Sequence, residues 1–208
     1  MEIPSTNINQ SVIALGQLLL QFGQTDRFSY HKDGVTRESD SDHTVMLAIL
    51  TCACAEKIAP ELDRGKIAQF ALVHDLVEVH AKDTPTLRPM NGHEKQNKKN
   101  REKLALEKIE NEFGTIFPWI TNTIHEYDSK TTPEARFVKV LDTIAPRITS
   151  VLNKGATERE MGINSTELES INQQQRAQIL DYISEWPKLI EIWDYLSTEA
   201  VRGLESKI

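Results

Sequence analysis

Apolar residues recur every three to four positions along most of the chain, the spacing of one face of an α-helix. No stretch alternates between apolar and polar positions in the way that a half-buried strand does. The polar, turn-rich stretch 24–37 separates the first two helical patterns, and we expect a loop there. The expected helices cover residues 8–22, 38–59, 64–81, 91–113, 116–127, 132–144, 166–184 and 187–203. The pattern predicts an all-α protein that folds as a single-domain helical bundle.

Several apolar side chains of these helices are expected to face a common core. In the first helix they include Ile8, Val12 and Leu19, which recur at helical spacing. Leu72 in the third expected helix and Trp119 in the fifth are assigned to the interior on the same basis. A chain of 208 residues is long enough to bury one sizeable core.

The third expected helix carries charged side chains in its apolar middle. His74 and Asp75 are adjacent and are flanked by apolar residues on both sides. Glu78 follows His74 by four positions, which places it on the same helical face, and Asp83 comes just past the expected helix end. A carboxylate drawn into a core is costly unless a cation or a metal ion accompanies it. This segment therefore predicts a functional site.

Two further residues are candidates for the same site. His43 stands in the first turn of the second expected helix, and Asp142 lies in the apolar interior of the sixth. With His74 and Asp75 they make two imidazoles and two carboxylates, which suit one divalent ion per chain: Mn²⁺, Co²⁺, Mg²⁺, Ni²⁺ or Zn²⁺. The alternative for each residue is a structural role, since single histidines and buried ion pairs are common in helical cores. If the four converge, the ion joins three helices.

The expected loop contains two arginines between two core helices. Arg27 and Arg37 are well placed to bind an anion there, because guanidinium groups recognise phosphate and carboxylate oxygens. The simpler interpretation is that both are solvated surface residues. Lys82, next to Asp83, is a third candidate cation for substrate binding.

Charge and cysteine content limit the possible partners. The formal net charge is −7 and the sequence pI is about 5.4, which argues against binding to a nucleic acid polymer. A single nucleotide needs only a few local cations and stays possible. No apolar run is long enough to cross a membrane, and the first residues lack the basic segment of a signal peptide. Cys52 and Cys54 are expected to be reduced thiols, so we expect a cytoplasmic protein.

The order His43, His74-Asp75, Asp142 resembles that of the HD-domain metal-dependent phosphohydrolases. Three segments carry the likeness: 38–44, 72–83 and 132–142. They are similar to one branch, which contains the bacterial 5′-deoxynucleotidases. The branch usually has glycine where this chain has Lys82, and often tryptophan where this chain has Phe28.

The resemblance implies a role for each candidate residue. His43, His74, Asp75 and Asp142 would be the metal ligands. Glu78 and Asp83 would be the catalytic acids near the attacking water and the leaving group, and Arg27 would bind the substrate phosphate. The whole chain, 1–208, would be one HD-type domain, with a metal-site core at about 10–145 and C-terminal helices at about 166–203 packed on it.

The expected activity is hydrolysis of (deoxy)nucleoside 5′-monophosphates to nucleoside and phosphate. One alternative keeps the metal site but assigns a nucleoside triphosphate, a cyclic nucleotide or an alarmone as substrate. A second alternative is a non-catalytic helical protein that binds a metal or a nucleotide. We also expect a homodimer, because closed dimers are the commonest oligomers.

Overall fold

The computed structural model describes residues 7–85, 87–183 and 185–206, and helices make up most of these ranges. The all-α prediction is confirmed. The helices are α1 Ile8–Phe22, α2 Asp40–Ile58, α3 Arg64–Val73, α4 Glu78–Ala81, α5 Gly92–Phe113, α6 Pro118–Ser129, α7 Pro133–Leu152, α8 Ala156–Glu160, α9 Ser165–Leu180 and α10 Pro187–Glu205. The strands are β1 Asp26–Tyr30 and β2 Arg37–Ser39.

The expected loop 24–37 is largely a β-hairpin, so that prediction was wrong. Strands β1 and β2 pair antiparallel. Their turn is held by the Asp33 carboxylate, which accepts hydrogen bonds from the amides of Val35 and Thr36 at 2.9 Å. Gly34 has φ +70°, which glycine adopts without strain. Strands of five and three residues are too short for alternation to reveal them.

The expected continuous helix 64–81 is interrupted, which is a second correction. Helix α3 ends at Val73, and residues 74–77 form tight turns before α4 begins. The amide of Leu76 donates to the carbonyl of Val73 at 3.1 Å, and that of Glu78 donates to Asp75 at 2.8 Å. These bonds span three residues rather than four, so the backbone is wound more tightly here than in an α-helix. Helix α8 was not predicted at all.

Helix α7 runs through the centre of the main core. It packs against α2, α3, α6 and α10. Phe70, Phe137 and Trp193 are fully buried in this core, and Phe137 meets Trp186 edge-on with ring centroids 5.0 Å apart. A second core joins α1, α5 and α6 to the end of α3. Both cores adjoin the segment 74–78 and fix its position.

Five side chains expected to face the interior are about half exposed instead. Helix α1 buries only Leu18 and Phe22 among its apolar residues. Trp119 is 47% exposed because its indole Nε1–H donates to Gln69 Oε1, at 3.0 Å, near the surface. Leu72 is also 47% exposed, since the α3 face that packs is formed by its neighbours. The five residues are Ile8, Val12, Leu19, Leu72 and Trp119. No described helix is both long and apolar enough to span a membrane.

Candidate metal centre and its cleft

The four predicted ligands come together at the meeting point of α2, α3 and α7. Each of His43, His74, Asp75 and Asp142 offers one donor atom, and these four atoms lie within 4.8 Å of one another. His43 Nε2 lies 3.1 Å from Asp142 Oδ1, and His74 Nε2 lies 3.0 Å from Asp75 Oδ2. The distance from His74 Nε2 to Asp142 Oδ1 is 3.6 Å. The sequence order therefore identified residues that the fold brings into one cluster.

Local structure explains how each imidazole is aimed. Helix α2 begins with a capping box in which Ser39 and Asp42 bond each other's backbone amides. His43 follows directly and is fully buried. His74 caps the end of α3, and its Nδ1–H donates to the carbonyl of Ala71 at 2.8 Å. In the neutral imidazole this bond leaves the Nε2 lone pair free toward the carboxylates.

The cluster fits a divalent ion. Nε2 of His74 is buried and makes no well-aligned hydrogen bond to any described residue. Buried polar atoms are normally satisfied, and an unsatisfied one indicates a partner that completes the site. Two imidazole nitrogens and two carboxylates are a donor set that Mn²⁺, Co²⁺, Ni²⁺ and Zn²⁺ accept. The residues present therefore match the expected cofactor class, and the choice of metal stays a prediction.

When no metal is bound, protons supply part of the positive charge that a metal would bring to the carboxylates. Burial alone would lower the pKa of His74, but the Asp75 and Asp142 carboxylates outweigh it and raise that pKa to about 10. The pKa of Asp75 is held far below its usual range because His74 and Arg27 oppose the effect of burial. The pKa of Asp142 is lowered as well, chiefly by the Lys139 ammonium group against burial. A metal must displace the His74 proton before it can use Nε2.

Arg27 lies at the centre of a second acidic group beside the ligands. Its guanidinium nitrogen Nη1 is 2.7 Å from Asp75 Oδ2, 3.3 Å from Asp40 Oδ1 and 4.0 Å from Glu78 Oε2. Its Nε lies 3.8 Å from Glu38 Oε2. Glu38 in β2 and Asp40 at the start of α2 were not predicted as site residues, although both belong to an acidic stretch of the sequence. They hold the guanidinium beside the metal ligands.

The two predicted catalytic acids differ in environment. Burial, followed by the charges of Asp75, Asp83 and Asp40, raises the pKa of Glu78 to about 9. Burial raises the pKa of Asp40 to about 7, although the Arg27 charge opposes this effect. Asp83 is partly exposed, and its Oδ2 accepts a hydrogen bond from the backbone amide of Phe28 at 3.1 Å. At neutral pH the metal-free site therefore keeps a proton on Glu78.

A cleft of about 380 Å³ opens from the metal centre. Arg27, Asp75, Glu78, Asp83 and Asp142 all line it. Helix α7 forms its floor, and residues 83–85 and 87–90 with the start of α5 form one wall. Two of the predicted ligands and both predicted acids thus face a space large enough for a small organic phosphate.

Two predicted substrate-binding residues are not among those that line the cleft. Arg37 donates to both carboxylate oxygens of Glu160, at 2.6 and 2.8 Å, and its guanidinium carbon lies 4.1 Å from the centre of the Tyr30 ring. It connects the hairpin to α8. Lys82 is exposed, and its backbone adopts φ 63° and ψ 145°.

Sequence reasoning missed several residues of the cleft. Lys139 Nζ donates to Asp142 Oδ2 at 2.9 Å, one helical turn before the ligand. Further along α7, Arg147 is buried with Glu158 of α8. The sequence feature that could have revealed these residues is the one that identified Asp142, namely charged residues at the apolar positions of a helical pattern.

Comparison with known proteins places the chain among similar proteins. The model of the HD domain family matches residues 21–183. A 5′-deoxynucleotidase of Schizosaccharomyces pombe, hdd1, is 28% identical over 142 residues, which are 64% of this chain and 67% of the relative. The 5′-deoxynucleotidase YfbR of Salmonella newport is 27% identical over 153 residues, 71% of this chain and 77% of the relative.

Solved structures show the same fold. A predicted metal-dependent phosphohydrolase from Magnetospirillum magnetotacticum superposes with a TM-score of 0.76. The superposition covers 97% of this chain and 96% of that protein at 21% sequence identity. A protein from Pyrococcus horikoshii, PH0347, matches with a TM-score of 0.62 and 22% identity over 90% of this chain.

Proposed function

The chain belongs to the HD domain family and is a metal-dependent phosphohydrolase, and from this premise we propose that it converts deoxynucleoside 5′-monophosphates to nucleoside and phosphate. Two relatives named 5′-deoxynucleotidase support this substrate class. The bond broken would join phosphorus to the 5′-oxygen, and a water molecule would supply the new oxygen. The sequence prediction of a phosphohydrolase is confirmed, and the monophosphate substrate is the proposal.

One observation carries the proposal most directly. Arg27 lines the cleft with its guanidinium 2.7 Å from Asp75, a predicted metal ligand. Phosphate oxygens bound by this guanidinium would therefore also lie beside the metal centre. Arginine binds two oxygens of one phosphate through parallel N–H groups, which fixes the direction of the remaining P–O bond. Glu38 and Asp40 keep that guanidinium in place from the other side.

Each acid has a distinct task in this proposal. Glu78 orients the attacking water and takes its proton, and Asp83 gives a proton to the leaving 5′-oxygen so that the nucleoside departs as an alcohol. His43, His74, Asp75 and Asp142 would hold a divalent ion, which would supply positive charge that favours the carboxylate form of Glu78, lowers the pKa of water and offsets charge on phosphoryl oxygens. The amide of Phe28 keeps Asp83 directed at the cleft.

The proposal is tested by phosphate release from a panel of nucleoside mono-, di- and triphosphates. Metal-stripped protein is reloaded separately with Mn²⁺, Co²⁺, Mg²⁺, Ni²⁺ or Zn²⁺, and His74→Ala serves as the control. We expect metal-dependent release from deoxynucleoside monophosphates that the control abolishes. Absence of release from every monophosphate, with metal content verified, would refute the monophosphate assignment.

The cleft also favours a second candidate, a nucleoside triphosphate substrate. Besides Arg27, further cations line the cleft, among them Lys95, Lys98 and Arg88, the last paired with Glu167. Polyphosphates need more positive charge than a single phosphate does. Product analysis separates the candidates, because release of triphosphate or pyrophosphate identifies a longer substrate, and release of nucleoside and phosphate from a monophosphate identifies the monoester.

Three further predictions rest on general grounds. We propose a homodimer because closed two-fold assemblies are the commonest oligomers, and light scattering tests it. We propose a cytoplasmic location because Cys52 and Cys54 are both free thiols, and cell fractionation tests it. The partner class is a small phosphate ester rather than a nucleic acid polymer, in keeping with the net charge of −7.

A further inference from the structure

The half of the cleft that lies away from the metal centre has a buried ion pair in its wall. Arg147 of α7 and Glu158 of α8 are each 2% exposed, and both line the cleft. Arg147 Nη1 donates to Glu158 Oε1 at 3.0 Å, and the Ser150 hydroxyl donates to the same oxygen at 2.7 Å. The metal site does not account for this pair.

Both charged groups are firmly held. Arg147 Nη2 donates to Gln175 Oε1 at 2.8 Å, and its guanidinium carbon lies 5.7 Å from the centre of the Trp193 ring. Glu158 sits in a five-residue helix that begins after Gly155, whose φ is +74°. An arginine and a carboxylate held from several sides present fixed hydrogen-bonding directions, which is a property of recognition sites.

The pair is nevertheless incompletely satisfied. Arg147 Nε and Glu158 Oε2 are buried and have no hydrogen-bond partner among the described residues. Burying two charges is costly unless their remaining donors and acceptors are also bonded. A ligand that offers one hydrogen-bond acceptor and one donor would satisfy both groups.

The ion pair lies at a distance from the metal centre that suits the group esterified to the phosphate. Asp142, Arg147 and Ser150 all lie on α7, and a helix rises about 1.5 Å per residue, so Arg147 lies about 7 Å and Ser150 about 12 Å from Asp142 along the helix axis. Apolar side chains also line this cleft, including Phe28, Pro146, Met90 and Met161. A flat ring with apolar faces suits contact with side chains of this kind.

We propose that Arg147 and Glu158 recognise the nucleobase of the substrate, with Gln175 positioning the arginine. The Arg147 N–H groups would donate to a ring nitrogen or carbonyl, and Glu158 would accept from a neighbouring base N–H, as both side chains do with base edges elsewhere. The inference rests on the proposed nucleotide substrate. It assigns the chemistry of base selection to residues that lie outside the metal site.

A purely structural ion pair between α7, α8 and α9 is the competing explanation. It predicts that every substrate is affected equally when the pair is changed, because the cleft as a whole would distort. A base-recognition role predicts a loss confined to substrates that carry a base. The two explanations therefore differ in a measurable ratio.

The test compares Glu158→Gln and Gln175→Leu with a matched control, Glu160→Gln. Glu160 lies on the same short helix but pairs with Arg37 and is not a cleft-lining residue. For each protein, kcat and KM are measured for the four deoxynucleoside monophosphates and for 2-deoxyribose 5-phosphate, which has no base. Melting temperature and metal content are recorded for each variant, and Gln175→Leu, at a partly exposed site, keeps the test usable if Glu158→Gln folds poorly.

We expect Glu158→Gln to lower kcat/KM for nucleotides by about 10- to 100-fold, mainly through KM, as for loss of a hydrogen bond to a charged group. The order of preference among bases should change, because an amide N–H replaces a carboxylate oxygen. Activity on 2-deoxyribose 5-phosphate should be unaltered, as should every activity of Glu160→Gln. Equal losses on all substrates would overturn the base-recognition inference. An unmodified protein that hydrolyses none of them would instead refute the proposed function.

Discussion

Replacing Lys82 with glycine should stabilise the protein. Lys82 adopts φ 63° and ψ 145°, a region that residues with a Cβ atom rarely enter. Such a conformation costs about 1–3 kcal/mol, whereas glycine costs about 0.5–1 kcal/mol through its freedom in the unfolded chain. The difference is a net gain of about 1 kcal/mol. In a chain of 208 residues that gain corresponds to a rise in melting temperature of about 2–4 °C.

The strained backbone is fixed by its neighbours and will persist in the variant. The amide of Lys82 donates to the carbonyl of Glu78 at 2.8 Å, and the next residue, Asp83, accepts from the amide of Phe28 at 3.1 Å. Both bonds are independent of the Lys82 side chain. The glycine variant therefore relieves strain without releasing Asp83 from the cleft.

Urea unfolding of metal-free protein measures the gain, with Lys82→Ala as the matched control. Alanine keeps the Cβ atom and removes the ammonium group, so it should show no comparable stabilisation. If alanine stabilises as much as glycine does, the charge rather than the backbone is responsible and the reasoning fails. The same two variants test the sequence-based role of Lys82 in substrate binding: a phosphate-binding lysine predicts an equal rise in KM for both.

Further predictions concern the charged groups of the site. The pKa values of His74 and Glu78 are raised to about 10 and about 9, so the folded metal-free protein holds protons that the unfolded chain releases. Its unfolding free energy should therefore fall as pH rises from 7 to 10. Urea unfolding midpoints across that range measure this fall, and a flat profile would contradict it. A metal must replace the His74 proton, so the apparent affinity of the protein for the metal should rise about tenfold per pH unit between pH 7 and 10. Metal titrations at several pH values measure this rise. Glu78→Gln should lower kcat by about 10²–10⁴-fold with metal content unchanged, and near-normal turnover would remove Glu78 from the chemistry. Arg27→Lys should raise KM for phosphate esters, because an ammonium group cannot make the paired contacts of a guanidinium. Steady-state kinetics measures this change, and an unchanged KM would count against phosphate binding by Arg27.

Periodicity was sufficient to predict most of the longer helices and to single out charged residues buried within them. Helix α1 was predicted with its observed ends because Gly23 directly follows the apolar pattern. Asp142 was recognised because a carboxylate at a buried helical position requires a partner. Both inferences use information that is local in the sequence, and local information is what a hydrophobic pattern contains.

The elements that were missed depend on contacts between distant residues. The Asn153 side chain donates to the carbonyl of Tyr30 at 3.1 Å, and Arg37 bonds Glu160 across the same interface. These contacts stabilise a hairpin and a five-residue helix whose own sequences are too short to show a pattern. Arg37 had the composition of an anion-binding residue, and only the tertiary structure supplies its carboxylate partner. The turns at 74–77 were hidden because their residues continue the apolar pattern of α3.

The position of α8 has an evolutionary consequence. The segment after Asp142 contains none of the predicted metal ligands. Within it, α8 contacts the strand that carries Arg27 and Phe28. Residues of α7, α8 and α9 form the far part of the cleft. Mutations in this C-terminal segment can therefore alter which molecules are accepted while leaving the bond-breaking residues intact. Divergence among such chains is expected to accumulate here first. A lineage can acquire a new substrate by drift or recombination of its last third and inherit its chemistry unchanged.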